Sequence, residues 1–310
     1  MTMTQRTVLV TGGTGFIGRH LVRRLVDDGH AVTLLQRSHD RAAGVFELLQ
    51  ISEFTPSSID RALANRRFDW VFHLAGYGVR PCDCAIEPMF RVNVEATRRI
   101  VERAAAWSPH AVVIAGSGAE YRLDGVERPV TEDHPLEPFK LYGASKAAGT
   151  LCAAAIARAA MIPFAACRLF GVYGPNEAPH RLFSVLMRGF RSQTRIALSA
   201  GHQKRDVLFV ADAVDALEAV ARTLENRPQQ VILNVCSGIP VTVRAFAEMV
   251  ARIYGAPKEQ LGFGDIPMRP DEVICFAGDP ARLHAFTGWR PRFDMEDGIM
   301  RSIEQSLETV

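Results

Sequence analysis

Thr7-Val8-Leu9-Val10-Thr11-Gly12-Gly13-Thr14-Gly15-Phe16-Ile17-Gly18 is a short β-branched apolar run followed by closely spaced glycines. From Phe16 to Val26 the apolar side chains continue at helical spacing. Strand, glycine turn and helix in that order open a βαβ unit. Gly12 permits a tight turn, Gly15 lets the backbone come close to a pyrophosphate, and Gly18 lets the helix pack closely on the strand. Unpaired N–H groups and the positive end of the helix dipole then meet the phosphates. Gly12, Gly15, Phe16, Ile17 and Gly18 are the expected dinucleotide contacts, and a plain packing turn is the alternative for the glycines alone.

The next strand, Ala31 to Leu35, runs into Gln36-Arg37-Ser38 without the acid that holds a ribose 2′-hydroxyl in NAD sites. Arg37 can pair with a 2′-phosphate instead, which favours NADP and leaves NAD as the alternative; the plainer reading is a surface arginine. Arg19 and Arg41 are candidates to assist it.

Further along, Trp70–Leu74, Ala111–Ala115 and Pro163–Leu169 are buried-looking strand runs, and an Ala-rich helix spans about Ala144–Ala160. Alternation of such strands with helices predicts an α/β fold, a doubly wound parallel (Rossmann) sheet whose binding crevice lies at the strands' carboxyl ends. After Gly174 the pattern loosens. Helices at about Leu182–Arg191, Ala211–Leu224 and Val243–Tyr254 sit among Gly- and Pro-rich segments, with one more strand at Gln230–Val235. Residues 1–174 are expected to form the dinucleotide-binding domain and 175–310 a smaller substrate-binding lobe, with about 205–236 returning to the core.

Composition restricts the partners. Of 310 residues, 48% are apolar and 23% charged, as in ordinary globular chains, and 36 Lys plus Arg against 34 Asp plus Glu leave a charge of +2. That balance predicts neither bulk nucleic-acid binding nor attachment to an anionic membrane. The most apolar stretch, Ala153–Cys167, is broken by Arg158 and Pro163 and is too short to span a bilayer. Cys82, Cys84, Cys152, Cys167, Cys236 and Cys275 form no zinc-type set, so no metal site is expected. With no secretory pattern in Met1–Val10, a reducing cytoplasm is the expected location.

Leu141-Tyr142-Gly143-Ala144-Ser145-Lys146 puts Tyr142 and Lys146 four residues apart on one helix face. A tyrosine with a pKa near ~10 needs a neighbouring cation to act as acid or base at neutral pH, and Lys146 can supply it. Ser117, in Ala115-Gly116-Ser117-Gly118-Ala119-Glu120-Tyr121, sits just past a strand end and offers a hydroxyl to the substrate oxygen. Taken one at a time, these are a packed tyrosine, a solvated lysine and a loop serine; with the glycine loop they make a set.

At these residues the chain resembles the extended short-chain dehydrogenase/reductase family, particularly its nucleotide-sugar epimerase, dehydratase and reductase branch. Thr11–Gly18 matches the family's cofactor loop, His73-Leu74-Ala75 its fourth-strand motif, Arg91-Val92-Asn93-Val94 its asparagine-bearing helix, and Tyr142–Lys146 its Y-x-x-x-K signature. Gly171–Pro175, Arg205–Val210, Arg269–Glu272 and Gly288–Pro291 look like later family segments. The resemblance implies that Tyr142 is the acid/base, that Lys146 lowers its pKa and holds the nicotinamide ribose, and that Ser117 polarises the substrate oxygen. It also implies that Leu74, Ala75 and Asn93 border the cofactor, and that Gly118, Arg205 and Arg269 meet a nucleotide-diphosphate sugar, the two arginines at its pyrophosphate. Salt bridges to Asp206 or Asp271 are the alternative for the arginines, and a hydrogen-bonded core histidine is the preferred reading of His73.

Three departures from the pattern stand out. Only Glu53 stands near the aspartate that relatives use at the adenine, Arg122 replaces a usual glycine and brings an extra cation toward the pocket, and Gly118-Ala119 replaces the dehydratases' acidic pair. The leading expectation is an NADP-dependent reductase of a nucleotide-linked keto-sugar. The alternatives are an epimerase with retained NAD and a non-catalytic dinucleotide sensor. Helices Met89–Ala106 and Ala144–Ala160 resemble the pair that builds the family's four-helix dimer, and Ala144, Ala147, Ala148 and Gly149 would allow close packing in a homodimer.

Overall fold

The computed structural model describes residues 4–37, 44–80 and 82–308; Ser38 and Arg41 lie outside them. The first half of the chain forms β1 (Thr7–Thr11), α1 (Phe16–Asp27), β2 (Ala31–Gln36), β3 (Glu47–Gln50), α2 (Pro56–Ala62), β4 (Trp70–His73), α3 (Ile86–Phe90), a π-helical stretch Arg91–Ala96, α4 (Thr97–Ala105), β5 (Ala111–Ser117), a 3₁₀ turn Gly118–Glu120, α5 (Leu141–Ala159) and β6 (Phe164–Leu169). Then follow β7 (Gly171–Tyr173), α6 (Leu182–Arg191), β8 (Ile196–Leu198), β9 (Lys204–Phe209), α7 (Val210–Asn226), β10 (Gln230–Val235), β11 (Pro240–Thr242), α8 (Val243–Tyr254), β12 (Leu261–Phe263), β13 (Cys275–Phe276), α9 (Ala281–Thr287) and α10 (Met295–Glu308).

Seven strands in the order β10-β6-β5-β4-β1-β2-β3, all parallel, make the main sheet. This is the doubly wound Rossmann arrangement, with order reversing beside β1. Strand periodicity sorts the core into two layers. Val8, Val10, Val32, Leu34, Trp70 and Phe72 face one side, where Leu21 and Leu25 of α1 and Leu217 and Val220 of α7 cover them. Leu9, Leu35, Val71, Val112 and Ile114 face the other, under Ile59 of α2, Ile100 and Val101 of α4, and Ala153 and Ala157 of α5.

The second half returns to the sheet through α7 and β10, which pairs with β6 from Gln230↔Phe164 to Val235↔Leu169. β9 does not join that sheet. It pairs with β7, β11 and β13 in a smaller one, and β8 pairs with β12. The first core layer continues into this part through Phe183 and Leu186 of α6, Phe246 of α8 and Ile299 of α10.

Candidate active site

The glycine turn is fixed by close approach. Gly12 has φ +70°, and a Cβ there would stand 2.6 Å from the Ala75 nitrogen and 2.7 Å from the Leu74 carbonyl carbon. The turn after β1 is thus pressed against the end of β4, which brings Leu74 and Ala75 alongside it. A Cβ on Gly18 would lie 2.1 Å from the Gly12 oxygen, so its contact is with the turn rather than the strand. Gly15 is exposed at the N-terminus of α1, with no side-chain cap and no acid in the first turn. The backbone N–H groups at the start of α1 and its uncompensated dipole suit an anion, and the tight turn held by Gly12 and Gly18 fits a dinucleotide pyrophosphate.

Around this turn, Arg37 is exposed one residue past the end of β2. Arg19 sits at the turn itself, donating to the Thr14 carbonyl at 3.0 Å. Glu53 is paired with Arg91 at 2.8 Å. His73 is a core histidine, hydrogen-bonded to Thr11 Oγ1 at 2.7 Å and Thr97 Oγ1 at 2.9 Å. Burial, reinforced by the Lys146 ammonium, pushes its pKa down to about 3, so it is neutral at physiological pH.

The residues expected to transfer protons, Ser117, Tyr142 and Lys146, gather where β5 ends and α5 begins. The Ser117 hydroxyl lies close enough to Tyr142 to act on its phenol. Lys146 Nζ donates to the Ala115 carbonyl at 2.6 Å. Burial pushes the Tyr142 phenol up and the Lys146 ammonium down; the Ser117 hydroxyl works against the first shift and the Glu120 charge against the second. Glu137 steadies the entry to α5, its Oε1 accepting from Phe139 N at 2.7 Å and Lys140 N at 3.1 Å. Asn93 ties the loop after β4 to the same helix: its Oδ1 accepts from Tyr77 N and its Nδ2 donates to Tyr77 O, both at 2.9 Å, and to Ser145 Oγ at 3.0 Å. Asn93 lies in the π-helical stretch, where its carbonyl would stand 2.0 Å from a Cβ on Gly149. Gly149 therefore serves packing within the chain.

Toward the smaller lobe, a cavity of about 280 Å³ is lined by Tyr173, Glu177, Arg181, Arg205, Phe246 and Phe276. Arg205 is partly engaged by Glu272 and donates to the Val273 carbonyl at 2.8 Å. Its neighbour Asp206 accepts instead from the Ser237 and Gly238 nitrogens, both at 2.8 Å. Arg269 is exposed and close enough to depress Arg205's pKa, although burial is the larger cause. A Cβ on Gly118 would lie 2.7 Å from the Phe170 ring and 2.9 Å from Phe276, so Gly118 is buried behind Phe276, one of the cavity's lining residues. Arg122 is exposed, over the Phe139 ring and beside Asp124, and none of its described contacts is with the site. A larger cleft of about 430 Å³, lined by Arg188, Arg191 and Ser306, contains none of the residues expected at the site.

Three residues at the site escape the sequence reading. Gly78 lies against the Tyr142 ring, and Arg181 faces the cavity near both Tyr142 and Arg205. Glu120 hydrogen-bonds the Ser117 backbone from beneath. Only the last had a visible signal, the Ser117-x-x-Glu120 capping-box spacing.

Among known proteins, the chain is 27% identical to a probable UDP-glucuronate 4-epimerase of Rhizobium meliloti strain 1021, over 96% of this chain and 95% of that protein. It is 31% identical to the dTDP-6-deoxy-L-talose 4-dehydrogenase (NAD(P)(+)) of Kitasatospora kifunensis, over 94% and 93% respectively. A solved structure, MoeE5 in complex with UDP-glucuronic acid and NAD, superposes with a TM-score of 0.85 at 30% identity, covering 98% of this chain and 100% of that one. The model of the NAD dependent epimerase/dehydratase family matches residues 8–236. Glycine turn, expected proton-transfer residues, fold and this match agree: the chain belongs to the NAD dependent epimerase/dehydratase family, the extended short-chain dehydrogenase/reductase enzymes.

Proposed function

We propose that the protein is a nucleotide-sugar epimerase working with a retained nicotinamide dinucleotide, NAD in the first place. This moves the keto-sugar reductase, which the sequence puts first, to second position. What supports the reading is that Ser117, Tyr142 and Lys146 gather where β5 ends and α5 begins, with Gly118 next to Ser117 packed on Phe276 of the cavity and the cavity's Arg181 acting on Tyr142. The names of the Rhizobium relative and the ligands of MoeE5 add weight to it.

When bound, the dinucleotide supplies a hydride acceptor and donor. The chain's own part is proton transfer and positioning. As its phenolate, Tyr142 Oη takes the proton of the reacting sugar hydroxyl, becoming the phenol, and later returns it, while the Ser117 hydroxyl donates to the same oxygen. Lys146 keeps a positive charge next to Tyr142, which favours the phenolate that takes the proton. Arg205 and Arg269 hold the substrate pyrophosphate and Gly118 borders the sugar, while Leu74, Ala75 and Asn93 shape the cofactor side. On this reading residues 1–174 hold the dinucleotide and 175–310 the sugar nucleotide. On the same reading the protein works as a cytoplasmic homodimer through the helices over Met89–Ala106 and Ala144–Ala160.

Arg37 favours the second reading, an NADP-dependent reductase, and the Kitasatospora relative's name points the same way. Denaturing the purified protein and identifying the released dinucleotide, then incubating native protein with UDP-glucose and UDP-glucuronic acid, separates the two. Bound NAD and a 4-epimer seen by NMR support the epimerase. An empty site, no epimer, and NADPH consumption with a 4-keto nucleotide sugar would replace it with the reductase.

A further inference from the structure

Beneath Ser117 lies a buried ion pair that the proton-transfer chemistry does not itself use. Glu120 is 0% exposed and Arg168 2% exposed, and Arg168 Nε donates to Glu120 Oε2 at 2.7 Å. The other carboxylate oxygen accepts from two sides of the site: from Ser117 N at 2.9 Å and from Thr150 Oγ1 at 3.0 Å. Thr150 stands one turn beyond Lys146 on α5. One carboxylate therefore joins the strand end that carries Ser117, the helix that carries Tyr142 and Lys146, and strand β6. The space is made for it at Gly116, where a Cβ would stand 2.7 Å from Glu120 Oε1 and 3.1 Å from Arg168 Cγ. Arg168 is held in turn, stacked 4.5 Å from the Tyr121 ring centroid, with Tyr121 Oη donating to Asn234 Oδ1 at 2.7 Å.

Burying such a pair is costly and is weak evidence of a stabilising purpose, since apolar residues of the same size commonly do as well. A positional purpose accounts for the three-way acceptor. We propose that Glu120, held by Arg168, is a positioning residue that sets Ser117 against the Tyr142–Lys146 helix. It also sets the local charge. The charged groups facing Tyr142 are Glu120 and Arg181, with Glu137 packed on the adjoining Gly143; those facing Glu120 are Arg168 and Lys146. Neutralising Glu120 removes the negative charge that works against the Tyr142 phenolate.

The inference rests on Tyr142 being the proton-transfer group of the proposed function, and the first readout needs no turnover. Ultraviolet titration of phenolate, taken as the difference from Tyr142→Phe in each background, should place Tyr142 about one pH unit lower in Glu120→Gln than in the parent. An unmoved titration overturns the electrostatic part even if no substrate is ever found. For position, two pair-deleted variants are compared by epimerisation of UDP-glucuronic acid: Glu120→Gln with Arg168→Met keeps an acceptor for Ser117, and Glu120→Leu with Arg168→Met does not. The first should keep kcat within a few-fold of the parent, and the second should lose about 100-fold in kcat with KM nearly unchanged. Equal kcat in the two, or failure of both to fold, overturns the positioning role. Absence of turnover in the parent, with the titration shift present, rejects the epimerase reading and leaves the charge effect standing.

Discussion

Gly78 packs against the Cδ2–Cε2 edge of the Tyr142 ring: a Cβ on Gly78 would stand 2.7 Å from Tyr142 Cδ2 and 3.0 Å from Met89 Cε, and Gly78 has φ +98°. Both space and backbone exclude a side chain here. Gly78→Ala should displace the Tyr142 ring and lower kcat about 100-fold, with a stability loss of roughly 1–3 kcal/mol. Steady-state kinetics beside thermal melting check it, and an alanine variant with parental kcat would refute the contact's importance.

Lys146 is the buried cation of the proposed proton-transfer set, and its ammonium already donates to the Ala115 carbonyl. Lys146→Met keeps the bulk and removes the charge. Turnover should fall by about 10²–10⁴, as should that of Tyr142→Phe, and the double variant should be little worse than either single one. Additive losses in the double variant would mean that the two residues act separately.

Glu177 gives a pH signature. Its side chain is 5% exposed, and burial pushes its carboxyl up to about 7 although the Arg181 guanidinium pulls the other way. An acid whose folded pKa is raised contributes stability that is complete below the unfolded value near 4.5 and is lost as pH rises through the folded one. Glu177→Gln, which never charges, should therefore gain on the parent between pH 5 and pH 8, by at most roughly 3 kcal/mol. Melting temperatures of both proteins across that range decide it; a constant difference would show that Glu177 is ionised throughout. Asp206, pushed up to about 6 by burial, keeps a smaller dependence of the same sign in both proteins.

Ile86 and Phe90 on α3 and Leu141 and Leu151 on α5 are exposed apolar side chains on adjoining helices. If these faces pair two copies, light scattering should give twice the chain mass. Phe90→Lys with Leu151→Lys should halve it, with the circular dichroism spectrum unchanged. A parent protein of single-chain mass at micromolar concentration removes the dimer from the proposal.

The main sheet was legible because its strands are buried on both faces and read as continuous apolar runs between helical patterns. Trp70–His73 and Ala111–Ser117 are of that kind. β3 was missed since Glu47-Leu48-Leu49-Gln50 is a half-exposed edge strand with two apolar residues. The helix expected over Met89–Ala106 is interrupted by the π-helical turn at Asn93, an inserted residue that no periodicity of 3.6 reveals. Within the site, Tyr142, Lys146 and the glycines were readable from local spacing. Arg181 and the Glu120–Arg168 pair depend on contacts between residues far apart in the chain, and Arg181 carries no motif of its own. The expected effect of Lys146 on Tyr142 also looks different in three dimensions. Burial is the largest influence on the Tyr142 phenol and pushes it up.

The seventh strand has a consequence for biosynthesis. β6 finds its outer partner, β10, only after the segment 170–229 has been made. During translation a nascent chain that has folded through β6 carries a naked parallel edge, the kind of surface that recruits other strands. The intervening segment must wait, partly collapsed, until Gln230–Val235 leaves the ribosome and seals it. Expression at reduced elongation rate, or with abundant chaperones, should therefore raise the soluble yield more than it changes the melting temperature of the finished protein.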